Sequence, residues 1–388
     1  MGVFYDFVVL PMNIKNFQTL KTKIMKRNKI QTSFFVIVFF IILSFSMTAC
    51  KKETDTNPVI TSMSDFIKNN PSRSSFFLMR NDSLKISLRT DQKFPLASTV
   101  KIMIAIEFAK QVSTGKINAN ELISLTDLDV YYLPNTDGNA HPKWKQSATS
   151  RGELNNNRVT LQEVARGMIR FSSNANTEFL MDKLGLDNIN ANLKELNLPN
   201  HDRLYPIVSA LFLYSTNNKS ETINRINQLS AQQYEDECAL IHTKLKADKD
   251  GSYKNQIVIA NLELQKIWSN RLPASTTKEY GNIMQKILSQ NYYSPAVQRV
   301  LDDVLQPRFA AIADYKTIYQ NFYGKGGSTA FVLTYALGTR TVENNKTVMT
   351  VFFNDLTPDE QTQLSSLLNT FSQDCTQGNK YKELIAGL

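Results

Sequence analysis

The chain has 388 residues, of which 42% are hydrophobic and 20% are charged, a composition typical of a globular protein. Its net charge of +9 is unevenly placed, because residues 1–49 carry six basic residues and one acidic residue, which leaves +4 for residues 50–388. An excess that small is too mild to indicate a nucleic-acid partner, and an ordinary protein surface is expected.

The N-terminal part predicts export. Residues 34–47 form an apolar run behind the basic stretch 26–29, a pattern typical of a signal segment and short for a membrane-spanning helix. Residues 47–50, Met-Thr-Ala-Cys, resemble the lipobox of bacterial lipoproteins, which implies cleavage before Cys50 and a lipid on its thiol. An ordinary signal peptide or an uncleaved anchor is the alternative.

The chain divides into three predicted parts. Residues 1–49 are the signal segment, and Met25 is the better initiator because the residues before it fit no export signal. Residues 50–61 are predicted as the lipidated Cys50 and a polar, flexible tether. Residues 62–388 are predicted as one domain, so we expect a monomeric lipoprotein on a membrane, facing the periplasm or the cell exterior.

The first predicted elements are a hairpin and a buried helix. Residues 75–80 and 84–88 have the pattern of two strands that are joined by a tight turn. Residues 99–112 are apolar on nearly all sides, which predicts a buried helix that ends at Gly115.

Capping patterns predict further helices. Thr160 and Glu163 predict a helix in which the Thr hydroxyl and the Glu carboxylate both bind free backbone amides. Residues 176–184 are predicted as the next helix. The capping pattern recurs at residues 276–279 and 357–360, the latter with Pro at the first helical position.

The end of the chain returns to strands. Two β-branched, apolar runs, residues 330–337 and 347–353, predict paired strands that turn at residues 343–345. Strands therefore come from both ends of the chain, which predicts an α+β fold. Its antiparallel sheet is flanked by helices, and an all-helical lobe is inserted between the sheet strands. We expect a site in the cleft between lobe and sheet.

Two segments are predicted as insertions, near residues 133–151 and 217–270. The first is a turn-rich loop that either shapes the cleft or is an ordinary surface loop. The second is polar and helical. Its acidic residues 235–237 predict a solvated helix face, and a catalytic carboxylate among them is the alternative. Cys238 lies in the second insertion, and either a disulfide with Cys375 or two unpaired thiols is compatible with export.

Ser98 and Lys101 have the spacing of a nucleophile and its base, since residues three apart share one face of a helix. A lysine accepts a proton only when it is neutral, and burial in an apolar helix favours the neutral form. A helix start at Ser98 also places amide donors near a developing oxyanion. Two other Ser-x-x-Lys matches, at Ser113 and Ser275, fall at a predicted helix end and in a capping pattern.

The segment around Ser98 resembles the active-site segment of class A β-lactamases, a family with the motifs Ser-x-x-Lys, Ser-Asp-Asn and Lys-Thr-Gly. Residues 172–174, Ser-Ser-Asn, match the second motif, and residues 325–327, Lys-Gly-Gly, match the third. The resemblance covers roughly residues 62–202 and 272–388 and implies a β-lactamase-like fold.

The resemblance implies a catalytic role for four residues. Ser98 attacks the amide carbonyl, and Lys101 accepts the proton of its hydroxyl. Ser172 then relays a proton to the leaving nitrogen. Lys325 keeps the site positive and attracts an acidic substrate.

Four further residues are implied in substrate binding. Asn174 binds the side-chain amide of the substrate, and Gly327 and Ser328 lie where the third motif contacts it. The backbone amides of Ser98 and Ser328 form the oxyanion hole. Tyr132 either lines the mouth of the cleft or packs as an ordinary surface residue.

Three departures from the family pattern bear on function. Ser173 replaces the Asp of the second motif, a change that we expect to concern stability. Gly326 lacks the hydroxyl that binds a substrate carboxylate. No Glu-x-x-Leu-Asn sequence follows the second motif, so the usual base for deacylation is missing. Asp202 is either a substitute base or a surface-loop residue, and its pattern favours the surface residue.

The leading hypothesis is a serine hydrolase that opens a β-lactam through an acyl-serine intermediate, without a cofactor. The first alternative is a D-alanyl-D-alanine peptidase or another amidase or esterase that acts on a peptidoglycan-like amide. The second is a penicillin-binding protein without turnover. The histidines at positions 141, 201 and 242 lack ligand-like spacing, so no metal is expected.

Overall fold

The structure is a computed structural model, and it describes residues 59–258, 260–306 and 315–388. The predicted signal segment, the lipidated Cys50 and the tether up to residue 58 lie outside the described residues. Residues 59–388 belong to one compact unit. No helix of the described residues is long and apolar enough to cross a membrane.

A five-stranded antiparallel sheet contains strands from both ends of the chain, in the order β2-β1-β9-β8-β7. Two small ladders join β3 to β6 and β4 to β5. The strands are β1 (Ser74–Arg80), β2 (Ser83–Leu88), β3 (Lys93–Pro95), β4 (Leu122–Ser124), β5 (Arg158–Thr160), β6 (Ala274–Thr276), β7 (Tyr319–Ser328), β8 (Leu333–Thr341) and β9 (Lys346–Phe353). This topology confirms the predicted α+β architecture.

The described helices lie mostly between β3 and β7, as the sequence predicts. They are α1 (Met63–Asn69), α2 (Lys101–Ser113), α3 (Leu125–Asp129), α4 (Ala140–Ser150), α5 (Leu161–Arg170), α6 (Asn174–Leu184), α7 (Leu186–Glu195), α8 (Lys219–Gln228), α9 (Ala231–Ala247), α10 (Leu262–Arg271), α11 (Thr277–Ser289), α12 (Pro295–Leu305), α13 (Tyr315–Ile318), α14 (Pro358–Thr376) and α15 (Lys380–Gly387).

Helices cover both faces of the sheet, because its strands are apolar on both sides. Helices α1 and α14 cover one face, where the Phe76 ring lies 5.2 Å from the Phe371 ring. Helix α11 covers the other face, where Tyr280 packs edge-on against Phe352 at 5.7 Å. Phe77 lies so close to α11 that only a glycine, Gly281, fits opposite its ring.

Helix α2 is the centre of the helical lobe. Its residues from Lys101 to Ala109 are all buried, and it packs against α5, α6, α7 and α12. This confirms the predicted buried helix, although a 3₁₀ segment, Ala97–Val100, precedes it and delays its start to Lys101. The 3₁₀ geometry tightens the chain where Ser98 emerges.

The third motif corrects one expectation about the strands. The sequence placed residues 325–328 just before a strand, but they form the last four residues of the ten-residue edge strand β7. The apolar pattern that signals a strand is missing there because Gly326 and Gly327 interrupt it. The next strand, β8, starts at Leu333 and not at the predicted position 330.

The insertion near residues 133–151 is not a surface loop. Its second half is helix α4, in which His141, Trp144 and Ala148 are buried. The expected Glu163 half of a capping box is also wrong, because that carboxylate accepts from Trp144 Nε1 at 3.1 Å, while Thr160 caps α5 alone. Turn residues near position 135 hid helix α4 in the sequence, since buried long-range contacts stabilise this helix and its local sequence does not.

The second insertion is helical, as predicted, and comprises α8, α9 and α10. Glu237 pairs with Arg225 on its solvated face. Cys238 in α9 and Cys375 in α14 are both buried and carry free thiols. Of the two alternatives for these cysteines, the structure therefore has the unpaired one.

Candidate active site

A short ladder and a strained turn carry Ser98. Strand β3 pairs with β6, and the chain continues along that direction when Leu96 N donates to Pro273 O at 3.0 Å. Ala97 then has φ of 45°, a left-handed conformation that residues with a side chain rarely adopt. Such strain concentrates at functional sites. The left-handed conformation of Ala97 directs Ser98, which is partly exposed, away from the direction of β3.

The Ser98 turn is fastened to the edge of the sheet. Thr99 Oγ1 lies 2.8 Å from Thr334 Oγ1, which also donates to Leu96 O at 2.8 Å. The backbone of β7 approaches so closely that a Cβ on Gly327 would lie 2.6 Å from Ser98 N and 2.4 Å from Leu96 O. Position 327 therefore requires glycine, and Ser98 N lies directly against the third motif.

Lys101 is completely buried, with no exposed surface. Its Nζ donates to Ser172 O at 2.7 Å and to Asn174 Oδ1 at 2.9 Å, and it lies 3.2 Å from Ser172 Oγ. Burial lowers the pKa of Lys101 well below its ordinary value, and the charge of Lys325 lowers it further, against smaller opposing effects of Asp137 and Glu178. The surroundings therefore favour the neutral amine.

The Ser172 hydroxyl lies between two amines. Lys325, only 5% exposed, places its Nζ 3.1 Å from Ser172 Oγ and also donates to Gly326 O at 2.6 Å. A hydroxyl oxygen has two acceptor lone pairs and one hydrogen. Lys325 Nζ donates to this oxygen, and once Lys101 has accepted a proton its ammonium can donate to it as well, so the hydrogen of Ser172 is then available for a proton relay to a substrate.

The second motif is a turn that starts helix α6. Ser172 has φ of 64°, and Ser173 caps the helix by accepting from Asn176 N at 3.2 Å. Asn174, the first residue of α6, is thereby aimed at Lys101. The sequence predicted the helix from position 176, because the strained turn left no apolar pattern at its first two positions.

The first insertion supplies a carboxylate near the site. Asp137 is buried and accepts from His141 N at 3.0 Å and from Ala140 N at 3.2 Å, so it holds the start of α4. Tyr132 is half-buried and packs against the His141 ring at 5.0 Å. Burial raises the pKa of the Tyr132 phenol, and the Asp137 charge adds to this. The insertion thus forms a wall beside the second motif.

The second insertion also reaches the site. Glu178, one helical turn below Asn174 on α6, is completely buried and accepts from Ser209 N at 3.1 Å and from His242 Nδ1 at 3.2 Å. Burial lowers the pKa of His242, but hydrogen bonds to Asp182 and Glu178 outweigh it and raise the pKa to about 9. Helix α9 therefore contributes a charged histidine to the support of α6.

The residues that the sequence considered as substitutes for the missing base lie elsewhere. Asp202 forms an exposed salt bridge with Lys93 and accepts from Ala274 N at 3.0 Å, so it holds the start of β6. Glu235 lies 3.7 Å from Arg203 on the surface of α9. The surface interpretation of Asp202 fits these contacts.

The other two Ser-x-x-Lys matches have structural partners. Ser113 Oγ donates to Lys110 O at 2.8 Å at the end of α2. Ser275 is buried and donates to Glu279, which lies beyond the Thr276 cap. Only Ser98, of these three, stands next to a buried lysine that contacts the other motifs.

The structure thus brings Lys101, Ser172, Asn174 and Lys325 into one hydrogen-bonded cluster. Ser98 N adjoins this cluster through Gly327, and no hydrogen bond joins Ser98 Oγ to Lys101 Nζ within the described residues. Such contacts are often long in unliganded sites and tighten on substrate binding. Sequence reasoning missed the parts of Asp137, Glu178, His141 and His242, since only the packed lobe brings them together. Among the described residues, no group of His, Cys, Asp and Glu is arranged to hold a metal.

The model of the β-lactamase enzyme family matches residues 58–377. No curated protein matches the chain. A solved structure of a chromosome-encoded β-lactamase mutant of Vibrio parahaemolyticus is 11% identical over 81% of this chain and 99% of its own, with a TM-score of 0.50.

Two further solved structures are similar at lower scores. A mutant of the protein PBP-A in an acyl-enzyme complex with penicillin G is 16% identical, over 80% of this chain and 94% of its own, with a TM-score of 0.47. A class A β-lactamase representative from Bacteroides cellulosilyticus is 15% identical, over 79% and 92%, with the same TM-score. At these identities the likeness concerns the fold alone.

The fold and the three joined motifs define a protein of the β-lactamase-like class. Because the family model covers most of its length, the chain belongs to the β-lactamase enzyme family. The resemblance that the sequence indicated is therefore confirmed at the level of the family and of the fold.

Proposed function

We propose that this protein is a serine hydrolase that opens a β-lactam amide through an acyl-enzyme intermediate on Ser98. One observation carries the proposal: the amine of Lys101 is wholly buried, its pKa is lowered, and it contacts the second motif, which the third motif also contacts. A neutral, buried amine is a base, and a base beside a partly exposed serine is the requirement for nucleophilic catalysis.

In the proposed acylation, protons move from Ser98 to Lys101 and from Ser172 to the leaving group. Ser98 Oγ bonds to the carbonyl carbon while Lys101 takes the hydroxyl proton. The carbon–nitrogen bond of the substrate breaks, and the leaving nitrogen takes a proton from Ser172, which Lys101 replenishes across their 3.2 Å contact. The backbone amides of Ser98 and Ser328 are the proposed donors to the oxyanion, each worth about 3 kcal/mol.

The charge of the site supports an acidic substrate. Lys325 lies at the strand edge of the cleft with its ammonium held by Ser172 Oγ and Gly326 O, and we propose that it attracts a substrate carboxylate. Asn174 is proposed to bind the side-chain amide, and Tyr132 to line the cleft mouth. Gly326 has no hydroxyl to add to the carboxylate contact, so recognition of penicillin-like acids is expected to be weak.

A second candidate follows from the loop after α7. Residues 196–218 contain one carboxylate, Asp202, which pairs with Lys93 and accepts from Ala274 N. Glu178 reaches this loop from α6, and it is buried and bonded to Ser209 and His242. A water that attacks the acyl-enzyme therefore has no free carboxylate base in this loop. This favours slow deacylation, as in a penicillin-binding protein, or a peptidase or esterase that acts on another amide or ester.

The experiment mixes the purified full chain with a chromogenic cephalosporin and follows both turnover and protein mass. Steady turnover supports the β-lactamase, and a stable adduct without turnover supports the penicillin-binding alternative. Activity on a D-alanyl-D-alanine peptide or a simple ester, with neither of these results, supports the peptidase or esterase. Ser98→Ala is expected to abolish every positive result, whereas the matched variant Ser113→Ala is expected to keep it.

We also propose that the chain is exported and carries a lipid on Cys50, on the sequence alone. The support is the apolar run of residues 34–47 followed by the Cys of a lipobox-like sequence. Radiolabelled palmitate is expected to label the expressed chain but not Cys50→Ala. Equal labelling of both would contradict the proposal.

A further inference from the structure

A buried histidine supports the turn of the second motif. Ser173, whose side chain is inaccessible to solvent, lies between the two residues that contact Lys101. Its Oγ is 2.9 Å from His141 Nδ1, 3.0 Å from Asn176 Oδ1 and 3.2 Å from Asn176 N. One hydroxyl thus links the catalytic turn to helix α4 of the first insertion.

The second ring nitrogen of His141 also has a hydrogen-bond partner. His141 is completely buried, and its Nε2 lies 2.8 Å from Asp129 Oδ1 at the end of α3. A carboxylate only accepts hydrogen bonds when it is ionised, so the hydrogen of this contact belongs to Nε2. Burial raises the pKa of Asp129, but the bond to His141 and the charge of Lys145 outweigh it and lower the pKa.

Two aromatic rings also pack against the His141 ring. The Tyr132 ring lies 5.0 Å away and the Trp144 ring 5.3 Å away, both tilted against His141. A ring fixed at both nitrogens and on its flanks has one orientation. The same three residue types form a catalytic triad elsewhere, but Ser173 has no access to a substrate, so this Ser-His-Asp series is not a second nucleophile.

The position of this turn matters for the chemistry. Ser172 adopts φ of 64°, a conformation that costs free energy and persists only where its surroundings enforce it. A small displacement of Ser172 or Asn174 would separate both from Lys101. The family motif has an Asp at the position of Ser173. The serine side chain is shorter, and in this chain the His141 ring connects it to Asp129 at the end of α3.

We propose that His141 is a positioning residue of the active site: through Ser173 it holds the turn that aims Ser172 and Asn174 at Lys101. The insertion that carries His141 is then a part of the catalytic machinery. This inference rests on the proposed acylation of Ser98 for its kinetic consequence. Its structural consequence, the ordering of residues 171–177, holds whatever the substrate is.

The test compares His141→Ala with His201→Ala in the full chain. His201 is a matched control, since it is a buried histidine that bonds to Tyr280 Oη at 3.1 Å and contacts no motif residue. Two quantities are measured: the acylation rate with penicillin G, by protein mass, and hydrogen exchange of the peptide 171–177. Thermal unfolding of both variants corrects for general loss of stability.

His141→Ala is expected to slow acylation about 10- to 100-fold and to raise the exchange of residues 171–177, with much smaller effects for His201→Ala. The double variant with Ser173→Asp is expected to regain at least a tenth of the wild-type rate, because Asp caps a helix start without help from a ring. Equal effects of the two single variants, or no gain from the added Asp, would overturn the proposal.

Two further outcomes are a His141→Ala variant that does not fold and a wild type that is not acylated. If His141→Ala does not fold, Asp129→Ala removes the acceptor of the ring together with the ion pair to Lys145, and Lys145→Ala, which removes only that ion pair, is its control. Asp129→Ala must then show the larger increase in exchange. If the wild type is not acylated, the proposed function fails, and the exchange of residues 171–177 still decides the role of His141.

Discussion

The substitution Gly327→Ala tests the contact between the third motif and the nucleophile. The added Cβ would lie 2.4 Å from Leu96 O, 2.6 Å from Ser98 N and 2.7 Å from Thr334 Oγ1. Two of these atoms belong to the backbone, which cannot rotate away, so β7 and the Ser98 turn must separate by at least about 0.6 Å. Overpacking of this kind costs about 1–3 kcal/mol of stability.

The effect on catalysis is expected to exceed the effect on folding. A shift of about 1 Å between reacting groups slows a reaction on the order of 100-fold, so we expect Gly327→Ala to acylate roughly 30- to 100-fold more slowly than the wild type. The assay is the second-order rate of acylation by penicillin G, followed by the mass of the full chain. Thermal unfolding reports the stability.

Gly326→Ala is the matched control for this prediction. It adds the same methyl group one residue earlier, where the nearest atom is a ring carbon of Tyr335 at an ordinary 3.4 Å. We expect it to acylate within about threefold of the wild type and to unfold at nearly the same temperature. If Gly327→Ala acylates as fast as Gly326→Ala, the close approach of β7 to Ser98 N is not what positions the nucleophile.

Three further predictions follow. Lys101→Arg introduces a guanidinium that cannot lose its proton, so we expect at least about a 1000-fold loss of acylation. The wild-type rate is expected to rise with pH through a Lys101 pKa well below its ordinary value, and a stopped-flow pH series that stays flat would contradict this. His242 has a folded pKa of about 9 against 6.5 unfolded, so its contribution to stability is full below pH 6.5 and is lost as the pH rises through 9. The stability advantage of the wild type over His242→Gln, measured by thermal unfolding, should therefore shrink from pH 6 to pH 10, by about 3 kcal/mol at most, and a constant difference would refute the ion pairs with Asp182 and Glu178. Cys238 and Cys375 are buried free thiols, so a thiol reagent is expected to label neither in the native chain and both in denaturant, and no labelling in denaturant would indicate a disulfide.

Much of the fold was predictable because its signals are local. The hairpin of β1 and β2, the cap at Thr357 and the buried helix α2 each follow from residues that are neighbours in sequence. Ser98, Lys101 and the order of the three motifs could be found in the same way. These patterns also placed helices between strands from both ends, which is enough to indicate the architecture.

The parts that could not be predicted depend on distant contacts. Strand β7 carries two glycines and a lysine near its end, so its pairing with β8, and not its own pattern, makes it a strand. Helix α4 is held by Trp144 and His141, whose partners lie in α5 and in the second motif. A single sequence gives no sign of such pairs.

The support of α6 was hidden for another reason. Glu178 resembles an ordinary charged residue of a helix, and His242 lies 64 residues further along the chain. A buried charge pair of this kind is recognised only when the burial of both groups is known. The replacement of the family's Asp by Ser173 was expected to concern stability more than chemistry. Its contact with His141, which the sequence did not indicate, connects Ser173 to the position of the catalytic turn.

The most direct test of the account is to locate the acyl group. The full chain is incubated with penicillin G, digested and mapped by mass spectrometry, beside Ser98→Ala. We expect one penicilloyl group on the peptide that contains Ser98 and none on Ser98→Ala. An adduct on another residue, or an unchanged adduct in Ser98→Ala, would contradict the assignment of the nucleophile and with it the proposed mechanism.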